Sequence, residues 1–197
     1  FYVNLQNNDW CPTQEQFANT SATEQFFSGQ GAMFFAGNWD LVNLCSTYTD
    51  MNGKWDVAVL PKCPNPESGD GRAVISNSVS YATAAEGKNK DTAMDFLKFL
   101  ASEEGQKIQG ESGVAIPAYN GLEDTWVNTF AEKGYDIHPE NIIPMFDYSV
   151  KYVNNPSRPS WEPKVEQAVL DIYAGNTSVD DGIQNMQNIV TEAIAEE

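Results

Sequence analysis

Histidine is nearly missing from this sequence, and cysteine and basic residues are scarce. One histidine, His138, and three cysteines, Cys11, Cys45 and Cys63, with no C-x-x-C pair, make a structural zinc site a poor reading. Lys and Arg total 11 against 28 Asp and Glu, a net charge of −17. Nucleic-acid binding needs clustered cations on the phosphates, so the charge argues strongly against that partner and disfavours adsorption to an anionic membrane. The acid surplus fits a secreted protein kept soluble by its charge. No apolar run approaches the roughly 18 residues of a membrane-spanning helix. Also missing are G-x-S-x-G, the P-loop, G-x-G-x-x-G and H-E-x-x-H, and the acids are too scattered for spacing to pick a catalytic pair. The residues point to no enzyme, and they imply no cofactor and no metal. His138, alone before Pro139, reads as a surface or structural residue.

Apolar residues make up 41% of the chain, enough for one domain or two small ones with buried cores. The most informative stretch is Phe26 to Trp39. Ser21-x-x-Glu24 is a capping-box pattern that starts a helix, and Gly29 stands where that helix closes with a left-handed residue. Ala32 to Ala36, bounded by glycines, predicts a short buried strand. Gly37-Asn38-Trp39 follows, with an aromatic where the next helix starts. Open α/β sheets bind ligands at that rim. Residue types alone leave two readings of Trp39, a ligand-facing indole or a core residue covering the helix start.

Residues 1–20 read as a loop followed by a frayed helix around Gln14–Ala18. Phe1–Leu5 has no initiator Met, basic segment or apolar core of a signal peptide, so the chain is expected to begin in mid-structure, as a fragment of something longer. Leu41, Val42, Leu44, Cys45 and Tyr48 recur at helical spacing, and Met51-Asn52-Gly53 is a turn. Trp55 to Leu60 predicts a strand stopped by Pro61, and 62–72 a surface loop. Ala73 to Ala85 is a long extended run broken at Ser76-Asn77-Ser78. Asn77 and Ser78 either hydrogen-bond a ligand or bond their own backbone at a bend. A Cys45–Cys63 disulfide and three free thiols both remain open.

Helices are expected over Asp91–Ala101, with Ala93, Phe96, Leu97 and Leu100 on one face, and from Ser102 to near Gly113. Another runs over Leu122–Glu132, ended by Gly134. Residues 139–153 hold apolar residues without a clean period. A loop from Asn154 to Ser160 delivers Trp161 just before a helix with Pro163 near its first position, ending at Gly175. Ser178 caps the last helix, with Asp180 and Asp181 in its first turn.

Three motifs in this order resemble the family 1 extracellular solute-binding proteins, the sugar-capturing components of ABC importers, similar to maltose-binding proteins. They are Phe-x-x-Gly-x-x-Ala-Met-x-x-x-Gly-x-Trp from Phe26 to Trp39; Trp55-Asp56-Val57-Ala58-Val59-Leu60-Pro61; and the run from Lys88 through Ala93–Leu100 and Ser102–Lys107 to Gly113 and Ile116-Pro117. The resemblance covers residues 15–197.

It implies an α/β fold, periplasmic-binding-protein-like of type II, with two lobes joined by chain crossovers, and this chain mainly the C-terminal lobe. Residues 1–75 and 126–197 would belong to that lobe, and 76–125 to the N-terminal lobe. Trp39 matches a family aromatic that packs on a sugar ring, with Asn38 beside it. Trp161 falls where maltose-binding proteins also present an aromatic. Asn77 and Ser78 fall on a crossover segment, usually glycine-rich, that lines the cleft. Implied partners are a small-molecule carbohydrate, the ABC permease subunits, and the missing N-terminal half or an oligomer mate. The implied location is extracellular, lipid-anchored on the cell surface or periplasmic, although Cys11 is not in the context of a lipid-anchored cysteine. The competing expectation is a secreted carbohydrate-active enzyme or carbohydrate-binding module, which a paired carboxylate beside a sugar cleft would favour.

Overall fold

The computed structural model describes residues 2–63, 65–66, 69–152 and 155–196. The chain divides into two compact units, one of Phe1–Phe34 with Val153–Glu197, the other of Phe35–Tyr152. Positions 64, 67 and 68 of the expected 62–72 loop, and 153–154 ahead of Trp161, lie outside the described residues.

The first unit is helical. It holds α1 (Tyr2–Asn7), α2 (Gln14–Asn19), α3 (Ala22–Phe27), α8 (Arg158–Tyr173) and α9 (Val179–Ala195). Capping boxes start α2 and α3: Thr13 pairs with Gln16, and Ser21 with Glu24, so each box satisfies two otherwise orphaned N–H groups. The Glu24 carboxyl is held below the usual carboxylate range by its bonds from the Ser21 backbone and hydroxyl. Gly29 is left-handed at φ 80°, as the end of α3 requires.

Helix α8 begins five residues before Pro163, earlier than the sequence predicts. Pro159 occupies its first turn, where the missing N–H costs nothing. Arg158 and Glu162 form a two-pronged ion pair one turn apart, with contacts of 2.7 and 3.0 Å. Pro163 lies inside the helix, where it has no N–H for the carbonyl one turn back and its ring crowds that carbonyl. Helices α8 and α9 pack against each other, and Gly182 makes this close, because a Cβ there would run into Ile172. Ser178 caps α9 through its bond from Asp181 N, at 3.1 Å.

The second unit has α4 (Leu41–Thr47), α5 (Lys90–Leu100), α6 (Glu103–Ser112), α7 (Glu123–Glu132) and a two-stranded parallel sheet. Strand β1 (Val74–Ser76) pairs with β2 (Ser149–Lys151) in the register Val74 with Ser149. A long 3₁₀ segment, Pro139–Tyr148, leads into β2. The core gathers Leu41 and Cys45 of α4, Trp126 and Phe130 of α7, and Ile137. Trp126 and Phe130 are fully buried and meet edge to face, centroids 5.0 Å apart. The Trp126 Nε1–H donates to the Gly113 carbonyl at 3.0 Å. Gly113 is left-handed at φ 81° and closes α6.

Two expected strands are corrected. Ala32 to Ala36 forms no ladder, and it is not buried: Met33 is 89% and Phe35 65% exposed. A strand needs a neighbour to take its N–H and C=O groups, and none of the described strands runs beside this one. Trp55 to Leu60 is extended but makes no backbone ladder. Its partner is the chain after α7, and side chains join the two. Asn52 Nδ2 donates to Gly134 O at 3.0 Å and Asn52 Oδ1 accepts from Asp136 N at 2.8 Å. Asp56 Oδ1 accepts from His138 N at 2.8 Å, and Asn141 Nδ2 donates to Val57 O at 3.1 Å. Strand pairing within the third expected strand, Ala73–Ala85, is confined to β1.

The three cysteines are free thiols. Burial in the core pushes the Cys45 thiol up to about 11, whereas Cys63 is exposed. Iodoacetamide at pH 8 is expected to alkylate Cys63 in the folded chain and Cys45 only after denaturation, read by peptide mass spectrometry. Gly110 lets α6 and α7 approach closely, since a Cβ there would meet the Thr125 side chain and Pro117. Gly110→Ala is expected to lower unfolding stability in urea by about 1–3 kcal/mol through overpacking.

Candidate functional site

Trp39 owes its position to three local devices. Gly37 and Asn38 turn the chain into a 3₁₀ turn, Asn38–Asp40, with Asp40 N bonding to Gly37 O at 3.0 Å. Leu41 N then bonds to Asn38 O, and α4 follows without a break. The buried Leu41 and Cys45 anchor α4 in the core, which fixes the turn carrying Trp39 at its start. The indole folds back over Gly37, where any Cβ would collide with the ring. Gly37 has φ −92°, so this glycine serves space and not backbone conformation. The indole is 49% exposed and Asn38 half-buried. Trp39 is therefore a half-open aromatic face on a rigid base, not a core residue.

The other expected contacts lie elsewhere. Asn77 and Ser78 follow β1 at its carboxyl end and are both exposed. Among the described residues no hydrogen bond or ring contact joins them to Asn38 or Trp39. Trp161 lies in the first unit, within α8 and not ahead of it. It is buried, and its Nε1 donates to Asn155 Oδ1 at 3.1 Å, so its indole also packs the helix start.

Two hollows of the second unit escaped the sequence reading. One, of about 430 Å³, lies between Tyr81–Thr83 and the α5 face of Ala93, Phe96, Leu97 and Leu100. The sequence predicts that apolar face, but not that it stays open: Phe96 is 58% exposed and α5 buries no residue. The other, of about 450 Å³, joins Val59, Asp70 and Arg72 to Pro144, Asp147 and Tyr148. There the Arg72 guanidinium stacks 5.4 Å from the Tyr148 ring centre and pairs with Asp70 at 2.9 Å. Arg72 and Tyr148 precede β1 and β2, and only the parallel pairing of those strands brings them together; no local motif signals it.

Among the described residues no group of three or more His, Cys, Asp or Glu could hold a metal ion. No described helix is long and apolar enough to cross a membrane.

The family model for bacterial extracellular solute-binding proteins matches residues 1–107, more than half of the chain. No curated protein matches it. The matched span contains Gly37, Asn38 and Trp39, Asn77 and Ser78, and the whole of α5. Proteins of this kind serve ABC transporters from outside the membrane, have a periplasmic-binding-protein-like fold and are typically not enzymes. The chain belongs to the bacterial extracellular solute-binding protein family.

Proposed function

We propose that the solute captured outside the cell is a sugar or oligosaccharide, handed on to the permease subunits of an ABC importer. The observation that carries this reading is the half-exposed Trp39 indole, held on the start of α4 and seated over Gly37. A pyranose offers an apolar C–H face that lies flat on an indole, and hydroxyls that need a few polar partners. Asn38, beside the ring, and Asn77 and Ser78, at the carboxyl end of β1, are the side chains proposed to bond those hydroxyls. In the same reading residues 1–75 and 126–197 belong to the C-terminal lobe and 76–125 to the N-terminal lobe. Lobe closure on the sugar is then the signal that the permease reads. The protein is held outside the membrane by a lipid anchor or by the periplasm.

Trp161 enters this reading as a second aromatic proposed for the sugar. Its burial sets the two tryptophans apart experimentally. Trp39→Ala is expected to weaken binding of the best sugar at least about tenfold and to change stability by less than about 1 kcal/mol. Trp161→Ala is expected to cost about 3–5 kcal/mol of stability, so Trp161→Phe is the variant that reads binding.

Isothermal titration calorimetry with a panel of mono- and oligosaccharides, followed by urea melts of the variants, tests both. Gly37→Ala gives an independent check. Its Cβ displaces the indole, so affinity is expected to fall with little change in the melt. Affinity unmoved by Trp39→Ala and Gly37→Ala would remove Trp39 from the site.

A further inference from the structure

The join between residues 52–57 and 134–141 is unusual in having side chains where a sheet has backbone bonds. Asn52 and Asn141 are neutral and bond at any pH. Asp56 is different. Its carboxylate takes three donors: Val57 N at 2.8 Å, His138 N at 2.8 Å, and the His138 ring, whose Nδ1 lies 2.6 Å from Oδ2. The two residues are 82 positions apart, so the contact is a tertiary tie and not a local turn.

We propose that Asp56 and His138 form a pH-governed latch that holds the chain after α7 against the Trp55–Leu60 segment. The groups acting on the His138 ring are Asp56 across the join, and Glu140 and Asp136 from its own segment, all acids. The hydrogen bond and charge of Asp56 raise the His138 pKa above its ordinary value, against a small opposing effect of desolvation. Partial burial pushes the Asp56 carboxyl up. The N–H bonds from His138 and Val57, with the His138 ring, outweigh it and hold the carboxyl below its usual range.

The signs then fix a window. The imidazolium's contribution is complete below the ordinary histidine value of about 6.5 and is lost as pH rises through the raised value. The carboxylate's contribution is complete above the ordinary aspartate value of about 3.9 and is lost as pH falls through the lowered one. The latch is therefore closed in mildly acid solution and loosens on the alkaline side, where the neutral ring keeps one N–H that need not face Asp56. The imidazole is 61% and the carboxyl 43% exposed, so water and salt keep the effect modest.

His138 is the one histidine of the chain, so its ring signals in an NMR titration are unambiguous. Its midpoint is expected above about 6.5, moving down toward that value in Asp56→Asn. That variant keeps an oxygen for the His138 amide, removes the charge, and puts an NH2 donor in place of the oxygen that faces the His138 ring. Amide hydrogen exchange of residues 134–141, corrected for the intrinsic pH dependence, reads the latch itself. Protection there is expected to fall by about two- to fivefold across the His138 midpoint, the range an exposed ion pair supports. The step is expected to vanish in Asp56→Asn and in His138→Gln. An unshifted midpoint in the unmodified chain, protection without a pH step, or the same step surviving in Asp56→Asn would each overturn the proposal.

Discussion

The second unit depends on one buried indole and the glycines that admit it. Trp126 is wholly removed from solvent, and its N–H would be costly there without an acceptor. The Gly113 carbonyl is that acceptor, and it points inward because Gly113 ends α6 in a left-handed turn. A Cβ on Gly113 would press on Val42 of α4 at 3.2 Å, and one on Gly110 would collide with Thr125 of α7. The spacing of α4, α6 and α7 is thus set by the absence of two side chains. Thr129, also buried, spends its hydroxyl on the Thr125 carbonyl at 2.8 Å, so the approach leaves that donor satisfied. The buried Gln106 ties the same helix in both directions, donating to Leu100 O and accepting from Ala118 N, each at 2.8 Å.

That core reaches the surface through α4. Leu41 and Cys45 lie one helical turn apart on its inner face, and Trp39 stands two residues before Leu41, where the helix begins. An exposed aromatic on a loop spends part of its binding energy on being ordered when a ligand arrives. An aromatic seated over a glycine at the mouth of an anchored helix has already lost that freedom. The same residues that stabilise the fold therefore prepare the indole face proposed to meet the solute.

Much of the helical part was legible because its signals are local. A capping box at Ser21, the cap at Ser178, left-handed glycines at Gly29 and Gly113, and the apolar period of α5 each act within a few residues. The start of α8 was read too late because Pro163 looks like a first-turn proline, whereas Pro159 and the Arg158–Glu162 pair had already begun the helix. The strands were less legible because a strand is made by its neighbour. Ala32–Ala36 has the right composition and no partner strand, and Trp55–Leu60 has a partner that speaks through side chains. Of the proposed site residues, the Gly37-Asn38-Trp39 turn could be placed from sequence. The depth of Trp161, and the meeting of Arg72 with Tyr148, depend on tertiary packing that spacing does not encode.

The extended segments also show why a side-chain join suffices here. Trp55 and Val57 both pack on the core, so Asp56 between them must point away from it, as period-two geometry demands. On the facing segment Tyr135 and Ile137 pack on the same core, which turns Asp136 and His138 outward in the same way. The inward residues hold the two chains together by apolar burial, at a separation that neither chain's backbone bonds bridge. The outward residues then meet over the top of that contact. Asp56 finds both the amide and the ring of His138, and Asn52 finds the Gly134 carbonyl and the Asp136 amide. The hydrophobic pattern decides that the segments lie side by side, and the polar residues between its members decide how they are fastened. The fastening falls on the solvent side, where charge responds to the medium, so the apolar contact beneath it persists while the polar one is adjusted by pH.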